Sequence, residues 1–393
     1  MTTVPDTPGP QRPGGGAIGE PAEPYVLYGA DVSYFTGKVE AYLRYKEIPY
    51  RRVDVTWHTV ATHLRRQTGV AKMPVVQTPD GVWLQDSTPM IDWFEERFPA
   101  APVLPDDPVS AFFGRLLEDY ADEWLWRPAL HYRWSYANDR RLLGARIAAE
   151  MMHDMPVPQA LRAWAVRRRQ YHVYVRGDGV CVATRPHVES VYTATLARLE
   201  TILRHQPFLL GERPCLADFG FFGSMFRHFS LDPTPSRIMR DTAPAVYEWV
   251  ARMWNARASR LPAARAAWSK GFPAGWDTIL RDIGEAYLPY LHANAVAWRD
   301  GRRRFDTVTQ GVQYRRLPAV QYRVWCRERL QEHVRRMPEE AQVRARAELE
   351  RLGCWEPLWR DGLIASRLHE HTSPPVCTPA RVRVRRARSP WNP

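Results

Sequence analysis

Three short stretches carry residues that a single ligand could touch together. The first is Ser33-Tyr34-Phe35-Thr36-Gly37-Lys38-Val39, a loop that enters a helix. The leading backbone N–H groups of a helix lack partners within it, and the helix dipole favours negative charge there. A thiolate set over Ser33 would gain from the hydroxyl and from those amides. The second stretch is Lys72-Met73-Pro74-Val75. Proline at the head of a strand cannot donate to the ladder. A cis Met73–Pro74 bond would turn the chain and expose the N–H and C=O of Val75, which could pair with an extended peptide as if with an added strand. The third is Gln85-Asp86-Ser87, where the next helix starts. Ser87 and the free amides can hold a carboxylate, and Asp86 can hold an ammonium group. Together they suit the zwitterionic end of a γ-glutamyl group. Each stretch also has a plainer reading: Ser33 as an N-cap, Pro74 as an edge proline, Asp86 and Ser87 as a capping motif.

The elements that must position these residues follow from local pattern. Tyr25-Val26-Leu27-Tyr28-Gly29 is a short apolar run that reads as a buried strand. From Phe35 the period turns helical through Val39, Tyr42 and Leu43, and Pro49 ends it. Tyr50 to Val55 alternates as a second strand, and a polar helix runs from His58 to Arg66. Met73 to Thr78 and Val82 to Gln85 form a hairpin around Pro79-Asp80-Gly81. Asp86-Ser87-Thr88-Pro89 then opens a helix whose buried face holds Met90, Ile91, Trp93, Phe94 and Phe98. The order β-α-β-α-β-β-α predicts a compact α/β unit over residues 25–100. After the proline-rich linker from Ala100 to Pro108, strand signals fade. Leu116, Tyr120, Trp124 and Leu125 stripe one helix and Val188 to Leu203 another. Pro156 to Pro186 reads as irregular and basic. A mostly helical extension covers 261–371, with a hairpin between Arg302 and Arg315. Two terminal segments, 1–24 and the basic tail 372–393 with its five prolines, are expected to be disordered.

Over residues 25 to about 260 the chain resembles the glutathione transferase family. The strand-loop-helix from Leu27 to Val39, Met73-Pro74-Val75-Val76 and Gln85-Asp86-Ser87-Thr88-Pro89-Met90-Ile91 carry the likeness. Phe208-Leu209-Leu210-Gly211-Glu212-Arg213-Pro214-Cys215-Leu216-Ala217-Asp218-Phe219 looks like the family's capping box and core helix. The resemblance implies a thioredoxin-like α/β domain followed by an all-α domain over 109–260. It implies glutathione as co-substrate at Ser33, Pro74, Val75, Asp86 and Ser87, and a small hydrophobic electrophile from around Trp124, Tyr132, Trp134 and Phe222. Ser33 would activate the thiol, with Tyr28 at the end of the first strand as the alternative. A homodimer is also implied. The chain departs from the family pattern at Tyr34, where Pro is common, and at Cys215, where Ser or Thr usually caps. Asp218 can still accept from the cap's backbone N–H.

Other chemistry is excluded or thin. No run of 18 apolar residues exists, so no transmembrane helix is expected. The N-terminus has no basic region followed by an apolar stretch, so it does not read as a secretory signal. Five cysteines without paired spacing argue against a disulfide framework and fit a reducing cytoplasm. The net charge of +12 sits in Arg167-Arg168-Arg169, Arg302-Arg303-Arg304 and Arg381 to Arg388, which read as solvated faces and a loose tail, with nucleic acid not expected. His58 and His63, and His369 and His371 around Glu370, do not form a metal set, and no metal is expected. Gly14, Gly16 and Gly19 fit Gly-x-Gly-x-x-Gly, but no strand precedes them. The reading is a thiol-activating transferase, against a non-catalytic member that uses the scaffold for binding or assembly.

Overall fold

The computed structural model describes residues 23–261, 268, 274–370 and 374–377. The first unit runs β1 (Tyr25–Gly29), α1 (Tyr34–Tyr45), β2 (Tyr50–Asp54), α2 (57–68, with a π-helical turn at Val60–Leu64), β3 (Val75–Gln77), β4 (Trp83–Gln85) and α3 (Ser87–Arg97). β1 is parallel to β2 and antiparallel to β3, and β3 is antiparallel to β4. This is a thioredoxin-like domain with a mixed sheet. α1 forms where the pattern requires it. Ser33 caps it by accepting from the N–H of Thr36 at 3.3 Å, and Val39, Tyr42 and Leu43 are buried.

An all-helical unit follows: α4 (Pro108–Glu123), α5 (Trp126–Ser135), α6 (Ala137–Met151), α7 (Gln159–Gln170, continued by the π turn Tyr171–Arg176), α8 (Arg185–Leu203), α9 (Leu216–Ser224, continued by Met225–Phe229), α10 (Pro233–Thr242) and α11 (Pro244–Asn255). α9 packs against both α4 and α1, so the two units share one hydrophobic core. Asp218 is the polar centre of that core. It is fully buried and accepts from the backbone N–H groups of Cys215 at 2.9 Å and Leu209 at 3.0 Å, and from the indole N–H of Trp249 at 2.9 Å. The segment read as irregular between Pro156 and Pro186 instead contains α7. Ala163, Val166 and Gln170 turn inward at helical spacing, while Arg168 and Arg169 stay outside. The flanking prolines mask that period.

The extension folds onto both units. α12 (277–299) leads into the hairpin β5 (Arg304–Thr309) and β6 (Val312–Pro318), then α13 (Gln321–Arg335), α14 (Glu339–Arg351) and α15 (Trp355–Trp359). α13 and α14 pack on α4. Arg323 on α13 pairs with Glu123 at 3.1 Å, and Arg329 pairs with Asp92 of α3 at 2.7 Å. The tail expected to be disordered contributes a strand. Val376–Cys377, β7, adds antiparallel to β4, giving the sheet order β2-β1-β3-β4-β7. The free edge of β4 accounts for this, because unpaired ladder groups recruit a strand. Residues 1–22, His371 and 378–393 lie outside the described residues. Among the described residues no helix is long and apolar enough to cross a membrane.

Removing the Asp218 carboxylate strands three buried donors. Asp218→Ala should cost at least about 3 kcal/mol in urea unfolding, since each orphaned buried group costs about 1–3 kcal/mol. A loss below 1 kcal/mol would show that the core relaxes around it.

Candidate functional site

A cavity of about 630 Å³ opens between the sheet domain, the helical unit and the extension. Ser33, Pro74, Asp86 and Ser87 all line it, together with Lys72, Met73 and Gln85. Ser33 stands at the start of α1. Its Oγ accepts from the Thr36 N–H, which leaves the hydroxyl hydrogen available to donate. The loop before it is anchored from behind. Arg133 of α5 donates to the carbonyl of Val32 at 2.9 Å and grips Asp232 with two bonds of 2.7 and 3.0 Å. The Met73–Pro74 peptide is cis.

Val75 does not line the cavity. It lies fully buried in an interior strand, opposite Tyr28 of β1 on one side and Gln85 of β4 on the other. Its N–H and C=O point to the same side of the strand, so both face a neighbouring strand whichever side that is. Met73, which precedes the ladder, lines the cavity in its place. Tyr28 also lies away from it. Its ring packs against Trp83 and His63 at centroid distances of 5.4 and 6.1 Å, and its hydroxyl reaches Gln77.

Asp86 precedes α3 with a φ of 80° and a ψ of 113°, a positive-φ conformation that residues other than glycine rarely adopt. Its Oδ1 accepts from the hydroxyl of Tyr322 at 3.1 Å, and its buried Oδ2 has no partner among the described residues. Burial pushes its carboxyl up to about 7, against the opposing pull of Arg329, the Tyr322 hydrogen bond and Lys38.

Beneath the cavity floor lies a buried ion cluster. The ammonium of Lys38 on α1 meets Glu118 and Asp122 of α4, and Thr88 of α3 at 3.3 Å; Thr88 also donates to Glu118. Burial alone would lower the Lys38 pKa, but Asp122 and Glu118 outweigh it and raise it. The side chain therefore stays charged.

The far half of the cavity is aromatic. Trp126, Leu130, Arg133 and Trp134 recur on one face of α5 and point inward. Phe35 stacks on Trp126 at 6.0 Å, and Tyr174 meets Trp126 edge-on at 5.7 Å. Of the four aromatics expected around the second ligand, only Trp134 is there. Tyr132 packs on Tyr136 and Tyr192, Phe222 on Phe226 and Trp254, and Trp124 on Tyr287 and Tyr290. On a helix, residues two apart point away from each other, so Tyr132 cannot share the Trp134 face. Pro318, Val320, Tyr322 and Arg323 of the extension complete the wall. Sequence reasoning missed Lys38, Arg133 and Tyr322. Lys38 alone left a local signal, a lysine one residue before Val39 on the buried side of α1.

Residues 27–102 match the glutathione S-transferase N-terminal domain and residues 185–256 the glutathione S-transferase C-terminal domain. The chain carries both domains of the glutathione S-transferase family. Solved glutathione transferases similar to it include one from Methylobacterium radiotolerans in complex with glutathione sulfonate, at 19% identity, covering 64% of this chain and 98% of that one, with a TM-score of 0.37. A Tau class glutathione S-transferase from mango is 17% identical over 63% of this chain and 96% of its own, with a TM-score of 0.41. The beta-etherase LigF from a Sphingobium strain is 17% identical over 62% and 98%, with a TM-score of 0.43. No curated protein matches the chain. Both family-matched stretches exclude α5, α7 and the extension, so much of the cavity wall is built outside them.

Lys38→Met would leave two carboxylates buried without their cation. Unfolding in urea should show a loss of about 3–5 kcal/mol. A neutral result would mean that the cluster does not depend on its cation.

Proposed function

We propose that this cavity binds glutathione and activates its thiol for attack on a small hydrophobic electrophile. The observation that carries the reading is that Ser33, Met73–Pro74 and Asp86–Ser87, far apart in the chain, line one cavity of about 630 Å³. The two helix starts offer unpaired amides and positive dipole ends to the thiolate and to the γ-glutamyl carboxylate. Ser87 and the amides of α3 take the carboxylate, and the carboxylate of Asp86 takes the ammonium. The backbone at Met73 takes the role first assigned to Val75, because Met73 faces the cavity and Val75 does not.

Ser33 donates its hydroxyl hydrogen to the sulfur. Hydrogen bonding to the charged form lowers a thiol pKa, and the thiolate is the nucleophile. The proton leaves to solvent through the cavity mouth. The electrophile lies against Phe35, Trp126, Trp134 and Tyr174, whose rings favour a flat apolar partner. Tyr28, outside the cavity, packs and does not activate.

Thiolate absorbance of bound glutathione against pH tests the assignment. Ser33→Ala should raise the pKa of the bound thiol by about 1–2 units, as loss of a donor worth a few kcal/mol requires. Tyr28→Phe should leave it unchanged. The opposite pattern would move the role to Tyr28. A bound thiol that titrates in wild type as in free solution would favour a binding or assembly protein.

A further inference from the structure

The extension has no counterpart in either family-matched stretch, yet it touches the polar end of the cavity. Tyr322, in the first turn of α13, donates to Oδ1 of an aspartate 236 positions earlier in the chain. The other oxygen, Oδ2, is buried and has no partner among the described residues. Asp86 and Tyr322 both line the cavity, so a ligand entering it meets a carboxylate already held by the extension.

The nearby cations are already engaged. Lys38 is held by Glu118 and Asp122, and Arg329 by Asp92. Glu118, also close, adds repulsion, and Cys326 of α13 and Cys377 of β7 are further titratable neighbours. The position of Tyr322 is well determined. Arg323 beside it bonds Glu123 at 3.1 Å and also contacts Tyr290, and α13 packs along α4.

We propose that the extension completes the ligand site, and that Tyr322 is a positioning residue whose hydroxyl orients the Asp86 carboxylate at the cavity wall for a ligand's free α-ammonium group. The proposal rests on the glutathione reading. It goes further by giving the extension a task in that site. Asp86 can hold a cation only when ionised. The hydrogen bond from Tyr322 lowers its pKa, while burial raises it. Removing the hydroxyl should therefore shift the pH dependence of binding upward.

The test compares glutathione with N-acetylglutathione, whose neutral amide replaces the ammonium, by calorimetry on the full chain. Wild type should prefer glutathione by about tenfold or more, the scale of one charge-assisted contact. Tyr322→Phe should lose most of that preference, and its glutathione affinity should rise with pH at a higher midpoint than in wild type. Asp86→Asn should abolish the preference, and adding Tyr322→Phe to it should cost nothing more. Thermal melts confirm that each variant is folded, and Asp86→Asn serves as the readout should Tyr322→Phe fail to fold. If Tyr322→Phe binds both compounds as wild type does, the proposal fails while the glutathione reading stands. If Tyr322→Phe binds glutathione more tightly, Tyr322 obstructs the site and the proposal is overturned. If wild type binds neither compound, both readings fall.

Discussion

One buried ammonium fixes the geometry on which the cavity depends. The two helix starts that frame it, at Ser33 and at Ser87, belong to different helices separated by three strands and a third helix. Lys38 lies just beyond the first turn of α1, and Thr88 lies in the first turn of α3. Both side chains reach Glu118 on α4. A desolvated ion cluster tolerates little displacement, because any lengthening leaves a charge unpaired in a medium of low dielectric. The spacing of the two helix starts is thereby tied to the helical unit. Arg133 does the same for the loop before Ser33, bridging the carbonyl of Val32 to Asp232.

The same logic extends outward to the C-terminal part of the chain. Arg323 bonds Glu123 and lies close to Asp178, and Asp178 also receives Arg127. Arg329 and Arg115 share Asp92. Glu123, Arg115 and Asp92 lie on α4 and α3, and Arg127 on α5, so the extension is keyed to the surfaces that border the cavity. It covers the outer face of α4 with α13 and α14, and the edge of β4 with β7. A homodimer, implied by the resemblance, would have to meet on other faces of this chain.

Local chemistry was legible in the sequence, and long-range chemistry was not. Strand alternation at Tyr50 to Asp54, the Ser33 cap and the cap pairing of Asp218 with Cys215 depend on neighbours a few positions away, and a pattern reading reaches them. The partner of Asp86 lies 236 positions off, and those of Lys38 lie 80 and 84 off. No spacing rule connects such residues. The assignment of Val75 required knowing that its strand is interior, which depends on sheet order. The helix α7 was hidden by the prolines around it, and β7 by the composition of a tail rich in proline and arginine. The ring of aromatics at Trp134 failed for a subtler reason: four bulky residues on helices were grouped by type, when helical phase decides which of them share a face.

The central claim is that both helix starts touch one glutathione molecule. Amide hydrogen exchange across the intact chain, with and without saturating glutathione, tests it most directly. The account predicts slowed exchange in two separate places, the amides that follow Ser33 and those that follow Asp86, while the exposed end of α11 is unaffected. Glutathione that leaves both helix starts exchanging as before, or that protects only one of them, would contradict it.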